Sequence, residues 1–344
     1  MFPPDSFNKT PVMKKFAWGI IGPGGIASQF VADFQWINTH HCFVKAIYSH
    51  RKESAEEFAG KHAGAEVFTD IDAFVTHSGV QAVYIATPHS YHYKYAAICL
   101  KHKIPVLCEK PLTISYPQTQ ELIHLAQQYQ TLLMEGMWVR YLPSFSKLIH
   151  LVEEGDIGDV ISIKASMSYR APKDENSRYY NPELGGGALL DLGIYTLFLS
   201  VLFMGRPDQV HASARKSAKG IDEHSVVLLS KKQQQYALLE SSILVKTKND
   251  AVISGCKGTI TIHEPWNEKP KGISIEWNDG STADIPCEWP GSGFQYETEA
   301  FLQTWESGQA ECDRMPYQTS LLLAELADII KNQIGVAYPA EGKV

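Results

Sequence analysis

Gly22-Pro-Gly24-Gly25-Ile26-Ala27 sets small residues where a chain must turn tightly and then begin a helix. The pattern is G-x-G-x-x-A. Gly22 permits the turn, Gly24 lets backbone amides approach a diphosphate, and Ala27 allows close helix–strand packing. Gly25 and Ile26 open a helix whose first amides attract negative phosphates. The chemistry implied is dinucleotide binding. Asp191 and Tyr195 are four residues apart in an apolar stretch, so on a helix both project from one face. Lys110 follows the apolar run Ile104-Pro-Val-Leu-Cys108, at the carboxyl end of an expected parallel strand, where such folds bind ligands. An ammonium, a carboxylate and a phenol suit hydride transfer between an alcohol carbon and a nicotinamide. The protein then has only to align two carbons and move a hydroxyl proton.

A free tyrosine titrates near ~10, too high for a base at neutral pH, and a neighbouring ammonium is expected to lower it. Tyr195 is therefore expected to be the general acid/base, with Lys110 tuning it and orienting the substrate hydroxyl. Asp191 would bind a second hydroxyl or position Lys110. The roles are exchangeable, because a buried lysine can itself be the base. The bland alternatives are a buried ion-pair partner for Asp191, a core tyrosine for Tyr195 and a solvated loop charge for Lys110. At the end of the second strand the chain reads Tyr48-Ser49-His50-Arg51-Lys52, without the acid that binds an unphosphorylated ribose. Ser49, His50 and Arg51 can instead hold a 2′-phosphate, so the cofactor is expected to be NADP, with NAD as the alternative.

These residues need a scaffold. From 14 to about 135, strand-like runs (16–21, 43–48, 81–86, 104–108, 131–135) alternate with helical spacing at 26–37, 52–62, 91–101 and 115–130, the last opened by a Ser115 cap. That alternation predicts a parallel sheet covered by helices on both faces. From about Val160, strand-like runs follow one another with short turns, predicting a mostly antiparallel sheet. One helix, Gly187 to Met204, interrupts them, and two near 296–306 and 319–332 close the chain. The fold class is α/β: an N-terminal dinucleotide-binding Rossmann domain, 14–137, and a C-terminal α+β domain, 138–340, whose large sheet has one open face. Residues 1–13 read as a flexible tail, with Met13 a second candidate start.

Thr87-Pro88-His89-Ser-Tyr-His92, Glu109-Lys110-Pro111 and Gly185-Gly-Gly-Ala-Leu-Leu-Asp191-Leu-Gly193-Ile-Tyr195 follow the glycine loop in order. Together they resemble the glucose–fructose oxidoreductase and inositol dehydrogenase (Gfo/Idh/MocA) family over about 14–340. Within it the chain is most similar to dimeric dihydrodiol dehydrogenases and NADP-linked xylose dehydrogenases. Tyr195 stands where the family commonly has His, His89 follows Thr-Pro in place of Asn, and Met134-Glu-Gly-Met-Trp138-Val-Arg140 matches that subgroup. The resemblance implies cofactor contacts at Thr87, Pro88, His89, His92, Glu109, Lys110 and Pro111, with His89 and His92 over the nicotinamide ribose. It also implies a Lys110–Pro111 bond that is often cis. Many NADP-using members have Ser-Arg where this chain has Ser49-His50-Arg51, which keeps NAD in view. Trp138 and Arg140 lead toward the cleft, an aromatic wall and a cation for a hydroxylated ring. In relatives the open sheet face pairs subunits, so a homodimer is expected.

The 344 residues carry a net charge of −7, with scattered Lys and Arg, which gives no footprint for nucleic acid or an anionic membrane. Hydrophobic residues are 44 % and charged ones 20 %, as in a globular protein with a real core. Six cysteines without Cys-x-x-Cys spacing point to a reducing, cytoplasmic setting. His89 and His92 have no third ligand at fitting spacing, so no metal is expected, and no Gly-x-Ser-x-Gly elbow occurs. The expected activity is an NAD(P)-dependent oxidoreductase acting on a sugar, polyol or cyclic dihydrodiol. The rivals are an NAD-retaining glycoside hydrolase of the same fold and a non-catalytic dinucleotide sensor.

Overall fold

The computed structural model describes residues 13–341. The tail expected at 1–13 therefore lies, apart from Met13, outside the described residues. Six parallel strands form the first sheet: β1 (Lys14–Ile21), β2 (His40–Tyr48), β3 (Glu66–Phe68), β4 (Ala82–Ile85), β5 (Val106–Glu109) and β6 (Leu133–Gly136). Their order is β3-β2-β1-β4-β5-β6. The chain leaves β1 toward one side for β2 and returns to the other side for β4. Their carboxyl ends diverge there and open a crevice. Helices α1 (Gly25–Ala32), α2 (Lys52–Ala59), α3 (Ile71–His77), α4 (His92–Lys101) and α5 (Tyr116–Tyr129) cover the two faces. β4 and β5 are buried at every position, which explains why their sequences are apolar up to Glu109 at the end of β5. The three-residue β3 and the helix α3 escaped the sequence reading, because β3 is short and half exposed.

Ser115 occupies the N-cap position of α5 as expected, but its hydroxyl caps nothing and is buried without a partner. Pro117 starts the helix instead, its fixed φ suiting the first turn. After α6 (Pro143–Glu153), a strand β7 (Val160–Ser168) enters the second sheet. The expected helix over 187–204 is not uniform. A π-helical turn, Leu189–Gly193, precedes α7 (Ile194–Met204). On 3.6-residue spacing Ala188 would share the cleft face of Asp191 and Tyr195 while Leu192 served the core; with this wider winding Ala188 is fully buried, and Leu192, though packed in the core, lines the cleft.

The sheet continues with β8 (Gln209–Lys216), β9 (Asp222–Lys231), β10 (Gln235–Ser242), β11 (Ala251–Gly255), β12 (Gly258–Ile262), β13 (Ile273–Trp277) and β14 (Thr282–Ile285). Its order is β14-β13-β12-β11-β7-β10-β9-β8, and only β7 and β10 pair in parallel. Of the last helices, α8 (Phe294–Glu306) packs back on α1 and β1, and α9 (Tyr317–Ile334) lies against α5, α7 and β8. Asp33, 3 % exposed, accepts the backbone amides of Ser292, Gly293 and Phe294 at 2.8–3.0 Å and so caps α8 across the molecule. Trp18, Phe30 and Phe301 meet at ring separations of 5.0–5.3 Å under this junction. One apolar core therefore runs from β1 through α8 to the second sheet.

Candidate active site

A cleft of about 880 Å³ runs from the glycine turn, between the two sheets, to the loop joining β12 and β13. A groove of about 570 Å³ adjoins it along the carboxyl ends of β1, β2 and β4. Gly22 has φ +89°, and a Cβ there would lie 2.8 Å from the Thr87 nitrogen, so only glycine fits. Nothing stands within 4 Å of a Cβ built on Gly24 or Gly25. The helix beginning at Gly25 has no side-chain cap and no acid in its first turn. Free amides face open space of the kind a diphosphate needs, and the fit with a dinucleotide is good. Ala27, fully buried, packs against the strand, while Ile26 lies at the cleft wall. Ser49, His50 and Arg51 line the groove together with Ser54, Tyr91 and Lys94. Lys94 is a cation that the sequence reading passed over.

Lys110 is delivered by β5, and its peptide to Pro111 is cis. Its ammonium donates to the Asp191 carbonyl at 2.7 Å, approaches Asp191 Oδ1 at 3.4 Å, and lies 4.6 Å from the centre of the Tyr195 ring. All three residues are less than one-tenth exposed and line the cleft. Burial opposes ionisation of Asp191, yet Lys110, then Arg178, hold its carboxyl well below the usual range. Arg178 was not foreseen. It donates to Asp191 Oδ1 at 2.9 Å and to the Tyr179 hydroxyl at 3.0 Å, and stacks on that ring at 4.1 Å. No periodicity marks it, because it comes from the irregular segment before the triple glycine.

The Tyr195 hydroxyl accepts from Trp138 Nε1 at 3.1 Å, and Trp138 stacks on Phe294 at 4.8 Å. Burial, reinforced by Glu109 and Asp191, holds the Tyr195 phenol well above its ordinary value. The expected lowering by Lys110 is absent: the ammonium sits over the ring face, and the nearby acids outweigh it. Glu109 takes the Tyr84 hydroxyl at 2.5 Å on one oxygen and the Lys110 amide on the other, and burial raises its carboxyl.

His89 Nδ1 donates to the Gly185 carbonyl at 2.9 Å, and burial pushes its ring down to about 3, so it is neutral. Its Nε2 is an acceptor facing the cleft, 3.9 Å from Asp191. His92, expected beside the cofactor, is fully buried, with its two nitrogens at the carbonyls of Pro111 and Thr87, 2.8 and 2.9 Å. It ties the loops after β4 and β5 together at the floor of the cleft, which it also lines. Thr87 and Pro88 line both cavities. Arg140 is also misplaced by the sequence reading. It does not line the cleft: its guanidinium lies among Arg314, Tyr141 and Glu153, and its backbone carbonyl accepts from Arg314, because a 3₁₀ turn at Trp138–Tyr141 sends consecutive side chains to different sides.

Comparison with known proteins agrees with this architecture. The model of the oxidoreductase family with an NAD-binding Rossmann fold, GFO/IDH/MocA, matches residues 16–137, and that of the GFO/IDH/MocA C-terminal domain matches 145–261. An NADP(+)-linked scyllo-inositol 2-dehydrogenase of Bacillus subtilis (strain 168) is 31 % identical over 342 residues, 96 % of this chain and 99 % of that protein. A trans-1,2-dihydrobenzene-1,2-diol dehydrogenase of Xenopus tropicalis is 31 % identical over 334 residues, 94 % of this chain and 99 % of its own length. Among solved structures, a 3-ketoreductase from Actinomadura kijaniata in complex with NADP and TDP-benzene superposes with a TM-score of 0.82. It is 26 % identical, over 93 % of this chain and 98 % of that one.

Proposed function

The chain belongs to the GFO/IDH/MocA oxidoreductase family, and from that premise we propose that Lys110 and Tyr195 are its catalytic pair, with Asp191 holding the substrate beside them. It is an NADP-linked enzyme that moves a hydride between the nicotinamide and a hydroxyl carbon of a sugar, polyol or cyclic dihydrodiol. The observation that carries the site assignment is the meeting of the Lys110 ammonium, the Asp191 carboxylate and the Tyr195 ring at one point of the cleft. The bound cofactor supplies the hydride acceptor or donor. Residues 14–137 hold the dinucleotide through Gly22, Gly24, Gly25 and Ile26, with Ser49, His50 and Arg51 at the 2′-phosphate and Thr87, Pro88, His89 and Glu109 along the nicotinamide half. Residues 138–340 supply Trp138, Asp191 and Tyr195 to the substrate.

Tyr195 keeps its proton in the free protein, and that O–H has no acceptor among the described residues, so it donates to the substrate oxygen. In reduction it gives the proton to the forming alkoxide, and Lys110 steadies the negative charge on that oxygen. Oxidation runs this step in reverse from the phenolate, so Tyr195 must first release its proton to water before it can take the hydroxyl proton of the substrate. Asp191 Oδ2 accepts no protein donor among the described residues and is offered to a neighbouring hydroxyl. NADPH and NADH absorbance, followed with scyllo-inositol and a trans-dihydrodiol, tests the activity. Oxidation linked to NADP above NAD is expected, and no absorbance change with either substrate class would overturn it.

The enzyme pairs through the open face of the second sheet. Ile161, Val226, Leu228, Tyr236 and Leu238 are 39–49 % exposed there, with Leu228 directly opposite Leu238 on adjacent strands. Such a contiguous apolar patch is rare on a monomer. Light scattering is expected to give a dimer, and Leu238→Glu a folded monomer. A monomeric wild-type chain at micromolar concentration would refute the pairing. Six cysteines, none in a disulfide, support a reducing, cytoplasmic setting.

A further inference from the structure

One wall of the cleft is a loop, 263–272, joining β12 to β13. It is anchored from beneath. Trp266 is fully buried, and its indole donates to the Ser166 carbonyl at 3.0 Å. Lys269 donates to the Trp289 carbonyl at 2.5 Å and lies over that ring. Between these anchors Asn267 is 7 % exposed and lines the cleft, yet its amide has no partner among the described residues. That amide opens onto the cleft with donor and acceptor both free, a place able to receive a hydrogen-bonding group.

The charges say which group. The acids lining the cleft are Glu109, Asp191 and Glu268, and the cations are Lys110, Arg178 and Lys269. Lys110 and Arg178 both converge on Asp191, and Lys269 is held by Trp289. Two of the three described cleft cations are thus already engaged by Asp191, and only Lys269, on a neutral carbonyl, keeps its charge unmatched. An amide both donates and accepts, and so matches a hydroxyl.

We propose that Asn267 is a specificity-determining residue that reads a hydroxyl of an uncharged polyol, remote from the carbon that exchanges the hydride. The role rests on the reading that the reaction occurs at Lys110 and Tyr195. A cyclic dihydrodiol has only its reacting hydroxyl and the adjacent one, and so does not use Asn267. A polyol does.

Replacing Asn267 by Leu is expected to lower kcat/KM for scyllo-inositol ~10- to 100-fold, mostly through KM. Turnover of trans-1,2-dihydrobenzene-1,2-diol and the NADPH dissociation constant stay within about threefold. Asn267→Asp, nearly isosteric but without the donor, shifts the ratio in the same direction. An inositol monophosphate is expected to be at least ~100-fold poorer than inositol. Saturation-transfer NMR of scyllo-inositol on the NADPH complex reads the same contact without turnover, and the signal is lost in Asn267→Leu. Equal losses on both substrates, an unmoved ratio, a retained NMR signal in the variant, or good use of the phosphate ester would overturn the role. If instead Lys110→Met left turnover intact, the catalytic assignment would fail while the Asn267 ratio could still be read.

Discussion

Lys110→Met is expected to lower kcat on the order of 10³-fold while leaving the protein folded and NADPH bound. Methionine keeps the length and apolar body of the lysine stem, so the packing beneath Tyr195 survives. What disappears is the ammonium that touches Asp191 at its carbonyl and at Oδ1 and covers the phenol ring. The substrate oxygen then carries developing negative charge in a buried site with one fewer cation. Arg178 still neutralises Asp191, which is why folding is not expected to suffer with turnover. Tyr195→Phe removes the proton donor alone and is expected to cost ~10²-fold. Because one transition state serves both directions, its loss is expected to lower kcat/KM for carbonyl reduction and alcohol oxidation alike. Initial rates in both directions, with NADPH fluorescence titration as the binding control, measure this. Near-normal turnover in both variants would remove the pair from the chemistry.

Gly24→Val should raise the NADPH dissociation constant at least ~100-fold, about 3 kcal/mol, without lowering the unfolding temperature. Gly24 has φ −132°, open to any residue, and its Cβ would point into empty space. The added side chain therefore disturbs nothing in the protein and occupies only the volume assigned to the diphosphate. Gly22→Ala is the contrasting variant. Its φ of +89° and the 2.8 Å approach to Thr87 mean that both folding and binding suffer. Fluorescence titration and thermal unfolding, run on both, separate the two effects. Undiminished NADPH binding in Gly24→Val would place the cofactor elsewhere.

Local chemistry was legible from the residues alone. The glycine turn, the alternation that makes a parallel sheet, and the consecutive strands of the second sheet are written within a few neighbouring positions. Gly22 and Lys110 follow this rule, since a turn type or a strand end depends on short spans. Spacing failed where the backbone departed from regular winding. The π-helical turn put Leu192 rather than Ala188 on the cleft, and the 3₁₀ turn carried Arg140 away from Trp138.

The sequence by itself determined the two-sheet α/β scaffold, the dinucleotide cradle and the presence of an ammonium, a carboxylate and a phenol. Only the tertiary structure decided that Arg178 shares Asp191 with Lys110, that His92 is a tie between loops, and that Asn267 faces the cleft without a partner. The physical reason is range. Turns and periodicities act within one element, whereas these contacts cross between elements, 13 residues apart for Arg178 and Asp191, 19 for His92 and Pro111 and 81 for Lys110 and Asp191, so their meeting depends on how both sheets and their loops pack.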